Sequence, residues 1–445
     1  MKTLARLAAL AVIVLAALQF VRPSIPAKPA TAELQAPAPI HSILEKDCYS
    51  CHSDERRLAW FDQIVPAYWL VRYDVLAGRR GLNFSTIGAK PAAAQKAALF
   101  EGVNMIQLGA MPLPRFLAVH PEAKVTPEEL SALKAYLAPW ATPPVAEAAS
   151  TAETRAATNL SAIAPEWNGF PFPADFESWK PISTTDRGDN STFRFVLGND
   201  VAVKAAAAGN ISPWPDGTRF AKIAWRQETG ADGLFYPGQF LQVEFMLKDA
   251  ERYKETDGWG WGRWLGFDLK PYGKDEHFVR ECTGCHLPVS GNDYVYSLPM
   301  TTAKIARGEA VNNRAASLPA ALPYQPLAWN AITMFVDPKL RTTSTLYGDE
   351  AAMRTAPQHS STPPAYPEGA VLALVTWAQR EDPHWFGARI PDLPVSIEFL
   401  QVGKPGEPAS YRRFAGPELS EEKSPEAAIA ERSAFILKLV PAQLP

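Results

Sequence analysis

The chain has 445 residues, 47% of them hydrophobic, which is enough for two or three globular domains. Its 44 Lys and Arg against 47 Asp and Glu give a formal net charge of −3. So weak a field does not favour nucleic acid or anionic lipid, and small molecules or redox proteins are the expected partners.

At the N-terminus, Lys2 and Arg6 flank the start of an apolar run from Leu7 to Val21 that only Gln19 interrupts. Positive charge followed by a run too short for a membrane span reads as an export signal. The small-residue cleavage site Ala30-Thr31-Ala32 lies far downstream of the run, so residues 1–35 are expected to be either a cleaved signal or a retained anchor. In both cases the body is expected in the periplasm.

Next comes Cys48-Tyr49-Ser50-Cys51-His52, which recurs as Cys282-Thr283-Gly284-Cys285-His286, and the two pentapeptides use all four cysteines. Two thiols so spaced add across the vinyl groups of a haem, and the histidine that follows offers an imidazole to the iron. A redox dithiol or a split zinc site leaves that histidine unexplained, and no thiol is spare for a disulfide. Two covalent c-type haems are expected, with His52 and His286 as iron ligands.

Proline makes up 41 residues, nearly twice the roughly 5% average, and much of it collects in connectors. The Ala/Thr/Pro-rich stretch 142–165 and a second stretch, 306–323, divide the rest into pieces 36–141, 166–305 and 324–445. In the first piece, helical spacing runs from Trp60 to Leu76, and Thr126 before Pro127 predicts an N-cap and a helix to Leu137. An electron-transfer haem needs a sixth ligand, and Met111, set between Gly109 and Pro112, suits a non-helical loop against a haem face; Met105 is the fallback. The strings His41-Ser42-Ile43-Leu44, Trp69 to Val75 and Gly81 to Ser85 resemble the small haem-binding domain that follows N-terminal anchors in many exported bacterial proteins.

The second and third pieces contain a repeat. Trp214-Pro215-Asp216-Gly217 leading to Trp225-Arg226-Gln227 recurs as Tyr366-Pro367-Glu368-Gly369 leading to Trp377-Ala378-Gln379. Gly198-Asn199-Asp200 matches Gly348-Asp349-Glu350, and Val243-Glu244-Phe245 matches Ile397-Glu398-Phe399. Each copy reads as strands joined by Gly/Pro turns. Copy two lacks the cysteines and has Leu374 where copy one has Lys222. Positions 220, 222 and 224 share a strand face, and their counterparts Leu372, Leu374 and Thr376 in copy two make that face mostly interior, so Lys222 is expected to point inward. A buried ammonium calls for a partner or a chemical fate.

Residues 170–300 resemble the cytochrome P-460 family, which also includes cytochrome c′-β. The resemblance lies in Pro215-Asp216-Gly217-Thr218 before Ala221-Lys222, in Gly238-Gln239-Phe240 through Lys248-Asp249, in the Trp264 segment and in the late cysteine motif. It implies a β-sheet fold, a lysine at position 222 bonded to the haem macrocycle, five-coordinate iron and hydroxylamine oxidation, or nitric oxide binding in the c′-β branch. Hydroxylamine oxidation releases protons, so a base is needed; Glu244, between Val243 and Phe245, is the candidate, with a raised proton affinity expected for an inward carboxylate. Glu228, Trp259, Trp261, Trp264 and Phe267 are further pocket candidates, and Met300 is a possible sixth ligand of a plain electron carrier. His41, His120, His277, His359 and His384 carry no second motif.

The expected fold class is therefore α+β and multidomain: a small helical c-type cytochrome domain followed by two tandem antiparallel β-sheet-rich P-460-like domains, the second without haem. The expected function is oxidation of hydroxylamine or a related small nitrogen compound, with electrons passed to the tethered N-terminal haem and then to an external redox protein. Gas binding and simple dihaem electron transfer are the alternatives.

Overall fold

The computed structural model describes residues 2–141, 158–303, 311–356, 362–404 and 406–445. Residues 142–157 of the first connector, 306–310 of the second, and His359 lie outside the described residues. The chain forms two compact units, Met1–Trp140 and Ala141–Pro445.

The first unit is helical: α1 (Lys2–Leu18), α2 (Ala38–Asp47), α3 (Tyr49–His52), α4 (Ala67–Gly81), α5 (Ala92–Gln107), α6 (Pro114–Leu117) and α7 (Pro127–Leu137). Leu4, Leu10 and Ile13 of α1 are exposed, and no described helix is long and apolar enough to cross a membrane. Thr126 caps α7 in a reciprocal capping box with Glu129, as its sequence predicts. The spacing from Trp60 misplaces α4, which starts at Ala67 because Pro66 cannot donate to a preceding turn. Trp60 is left exposed outside the helix.

The second unit carries β1 (Lys180–Arg187), β2 (Thr192–Gly198), α8 (Asp200–Ala208), β3 (Arg219–Thr229), β4 (Phe235–Lys248), β5 (Trp259–Leu265), β6 (Lys270–Pro271) and α9 (His277–His286). Copy two follows as β7 (Asn330–Asp337), β8 (Thr342–Gly348), α10 (Glu350–Met353), β9 (Val371–Asp382), β10 (Trp385–Gln401), β11 (Ser410–Ala415), β12 (Ser420–Glu422) and α11 (Glu426–Lys438). The repeat extends to backbone detail. Asn199 and Asp349 cap the helices after β2 and β8. Gly217 (φ +85°) and Gly369 (φ +80°) take the left-handed turn before β3 and β9, and their N–H groups donate to Lys248 and Val402.

The two copies are not separate bodies. Their antiparallel strands run in one sheet ordered β1-β2-β3-β4-β7-β8-β9-β10-β11-β12, and β1 also pairs with β10, so the sheet closes on itself. Ala221, Ile223 and Trp225 of β3 face a shared core with Ala373, Val375 and Trp377 of β9. The opposite faces of the strands make two smaller clusters, one per copy. In copy one Val196 and Phe220 pack with Phe278 and Cys282 of α9. In copy two Leu346, Leu372 and Leu374 pack with Ile436 of α11.

Candidate functional site

Cys48 is the N-cap of α3, which carries Cys51 and His52, the second motif ends α9, and none of the four cysteines is in a disulfide. Burial pushes Cys48 and Cys282 up to about 12 and Cys51 to about 11, the opposite of what a reactive dithiol needs. Among the described residues no group of three or more His, Cys, Asp or Glu side chains is placed to hold a metal ion, so nothing described completes a zinc site.

The two histidines are arranged alike. His52 Nδ1 lies 2.9 Å from the Leu82 carbonyl, and His286 Nδ1 lies 2.7 Å from that of Tyr294. A carbonyl only accepts, so Nδ1 carries the proton and Nε2 keeps its lone pair, as a metal-binding imidazole requires. Burial lowers the proton affinity of both rings, His286 to about 4. At His52, helix α4 comes close through Gly78, where a Cβ would sit 3.0 Å from the Cys51 carbonyl and 3.3 Å from His52 Cε1. Met111 lies half-buried in the loop after α5, whose end is closed by hydrogen bonds from Ala110 N and Met111 N to the Met105 carbonyl. Met105 is itself in α5 and only half-buried, so the structure does not make it a core residue.

In copy one, the face of β3 opposite the shared core carries Lys222. The register places Val196 and Glu244 on either side of it, and Arg263 beside Glu244. Lys222 pairs with Glu244, Glu244 Oε1 lies 3.2 Å from Arg263 Nε, and Arg263 Nη1 lies 3.0 Å from Glu281 Oε1. Glu281 precedes Cys282, so a chain of alternating charges runs from Lys222 to the motif helix. Lys222 shares the face of Leu374, but that face meets the smaller cluster and not the main core, and the inward expectation holds only in part: the Lys222 side chain keeps 30% exposure while Leu374 has none.

The expectation for Glu244 is corrected. Its neighbours Val243 and Phe245 point into the shared core, while Glu244 points the other way, among cations. Burial alone would raise its carboxyl, but Lys222 and Arg263, helped by Arg194, hold it down at about 2. Lys222, in turn, is lowered by burial against the pull of Glu244. Copy two keeps the glutamate but closes it: buried Glu398 accepts from Arg432 Nη2 at 2.7 Å and Nε at 2.8 Å, and from the Tyr411 hydroxyl at 2.6 Å.

The other candidates separate by face. Trp259 and Trp261 lie on the Lys222 side, with the Trp261 ring 4.6 Å from that of His286. Trp264 and Met300 belong to the shared core, with Phe267 packed against it, which takes Met300 away from the motif face. Glu228 lies near the far end of β3 and accepts from Gln239 N. Trp261 Nε1 and Arg194 Nε are buried donors with no hydrogen-bond partner among the described residues. Unsatisfied donors beside His286 and Cys285 fit a bound group that brings acceptor atoms, as the propionates of a haem do. The sequence reading missed Arg263, although period-two alternation from Trp259 through Trp261 would have placed it on this face.

Fold and site together define a haem-containing cytochrome. Residues 173–297 match the family model of cytochrome P460, and residues 12–139 match that of a haem-binding domain. The order of the two matches is the one that the motifs predict. Comparison with curated proteins gives no match.

Proposed function

We propose that the protein is a periplasmic dihaem c-type cytochrome that oxidises hydroxylamine or a related small nitrogen compound. The substrate haem is held by Cys282, Cys285 and His286. The haem held by Cys48, Cys51 and His52, with Met111 as sixth ligand, takes up the electrons and passes them to an external redox protein. The observation that carries this reading is Lys222, a lysine tied through Glu244, Arg263 and Glu281 to the motif helix and replaced by Leu374 in the copy that lacks the motif.

Cys282, Cys285 and His286 would hold a haem there, and its iron would supply the site for the substrate nitrogen and a sink for its electrons. The chain supplies the rest. Lys222 would be bonded through Nζ to a carbon of the macrocycle: the ammonium would first give up its extra proton, the amine and that carbon would then each lose one further proton, and the one electron pair released would pass to an oxidant of the peroxide class, which leaves as water. Its ammonium is the strongest of the charges that lower Glu244, so the bond raises the proton affinity of Glu244 towards that of a usable base. Trp259 and Trp261 hold water away from this face.

The aromatic wall also favours a second reading, a nitric oxide binder of the c′-β kind. The plain-carrier reading loses support because Met300 packs in the main core. Anaerobic titration with hydroxylamine separates the three. An oxidase reduces its own haems as hydroxylamine is added. A gas binder leaves them ferric and binds nitric oxide without turnover, and a carrier shows two six-coordinate irons that do neither.

A further inference from the structure

The motif-free copy reaches into the cysteine site of the other. Its β9–β10 hairpin brings His384 and Trp385 against Tyr296, with ring centroids 6.3 and 5.7 Å away, and His384 Nδ1 donates to the Tyr296 carbonyl at 2.8 Å. Tyr296 in turn stands edge-on to His286, 5.2 Å between centroids, and its hydroxyl donates to the Cys285 carbonyl at 2.7 Å. Trp261 covers His286 at 4.6 Å, so the imidazole is held between Trp261 and Tyr296.

The hairpin is fixed to copy one. Trp385 Nε1 donates to Asp189 at 3.2 Å, the Arg187 guanidinium lies 4.3 Å from the Trp385 ring centre, and Arg187 is ion-paired to Asp189. Asp189 N donates to the Gly387 carbonyl, and Asp186 and Arg187 pair with Arg389 and Ala388 in the sheet. Copy one reciprocates, since Tyr236 beside its β3–β4 hairpin packs on Phe335 of copy two, and Phe335 on Phe435 of α11.

We propose that the haem-free copy completes the haem site of the other copy, with His384 and Trp385 as positioning residues that act through Tyr296 on His286. This rests on the part of the proposed function that places a haem on Cys282, Cys285 and His286, and not on the substrate. A ring packed against a ligating imidazole in this way fixes the plane of the imidazole and keeps water from its side of the haem. Loss of the contact spreads the imidazole orientation and admits water, which favours the more highly charged ferric state.

The test uses the full-length protein and three variants, His384→Ala, His384→Asn and Trp385→Leu. Peptide mapping of the wild type first establishes that Cys282 and Cys285 carry haem; failure there removes the underlying reading and leaves the N-terminal haem as a separate matter. With haem in place, His384→Ala and Trp385→Leu are expected to broaden the ferric EPR signal of that haem and lower its midpoint potential, with the N-terminal haem unchanged. Asn keeps a donor near the Nδ1 position, so His384→Asn is expected to restore the wild-type values. Haem content and circular dichroism report folding, and if Trp385→Leu does not fold, His384→Ala and its Asn rescue decide. An unchanged EPR signal and potential in His384→Ala overturn the proposal.

Discussion

Lys222 and Leu374 hold the same register position in the two copies of one strand. Lys222 lies between Val196 and Glu244, and Leu374 between Leu346 and Glu398. The neighbours are equivalent, yet one position carries an ammonium linked by ion pairs to a cysteine motif and the other a fully buried alkyl group. Filling copy two with Leu374 and Ile436 of α11 leaves it a closed packing site, so chemistry is expected in copy one alone.

The first prediction is of cofactor content: two haems per chain, on the Cys48–Cys51 and Cys282–Cys285 pairs, and none on residues 324–445. Iron and haem analysis of purified protein, together with mapping of haem peptides, checks it. One haem, or three, contradicts it.

Replacing Met111 by Ala is expected to open the N-terminal haem iron to added ligands such as imidazole and to leave the spectrum of the second haem as it was. A low-spin six-coordinate N-terminal haem that persists in Met111→Ala would move the assignment to Met105.

Glu398 is predicted to be structural. Glu398→Gln leaves the guanidinium of Arg432 without its carboxylate and weakens three hydrogen bonds. Arg432 is 38% exposed and can turn to water, so the expected loss is about 2 kcal/mol of stability rather than the larger cost of a fully buried broken pair. Denaturant unfolding measures it, and hydroxylamine-dependent haem reduction should not change.

Asp186 gives a pH-dependent prediction. It is buried and accepts from Gln227 Nε2 at 2.6 Å and Gln379 Nε2 at 2.9 Å, one glutamine from each copy. Burial raises its carboxyl above the ordinary 3.8, although the two glutamines pull it down in part. A carboxyl raised in the folded state contributes stability below the unfolded pKa and loses it as pH rises through the folded one. The wild type is therefore expected to lose stability relative to Asp186→Asn as pH increases from about 4 to 7. The side-chain oxygens of Gln227 and Gln379 accept no hydrogen bond from the described residues, so the asparagine amide can donate to one of them and the variant should unfold no more easily near neutrality. Thermal midpoints across that range decide the sign; a wild type that gains stability relative to Asp186→Asn as pH rises is the opposite result.

Much of the site was legible because its signals are local. The cysteine pentapeptides, the Pro-Asp-Gly and Pro-Glu-Gly turns, the Thr126 cap and the face of Lys222 each depend on residues a few positions apart. The electrostatics of Glu244 were not legible, because a neighbouring strand brings Arg263 to it and alternation puts the flanking Val243 and Phe245 on the other face. Composition suggested breaks between the copies, but it carries no information on strand pairing, and β4–β7 and β1–β10 join them. His384 lay furthest from reach: its partner Tyr296 is 88 residues earlier, in the other copy.

The fate of the Lys222 Nζ separates the oxidase from the gas binder, and mass spectrometry of protease digests from haem-loaded protein reads it directly. The predicted product is one haem joined to two peptides, one containing Cys282 to His286 and the other containing Lys222. Unmodified Lys222 peptide in stoichiometric yield would contradict the bond, leave Glu244 paired with a free ammonium, and favour the gas-binding reading of the site.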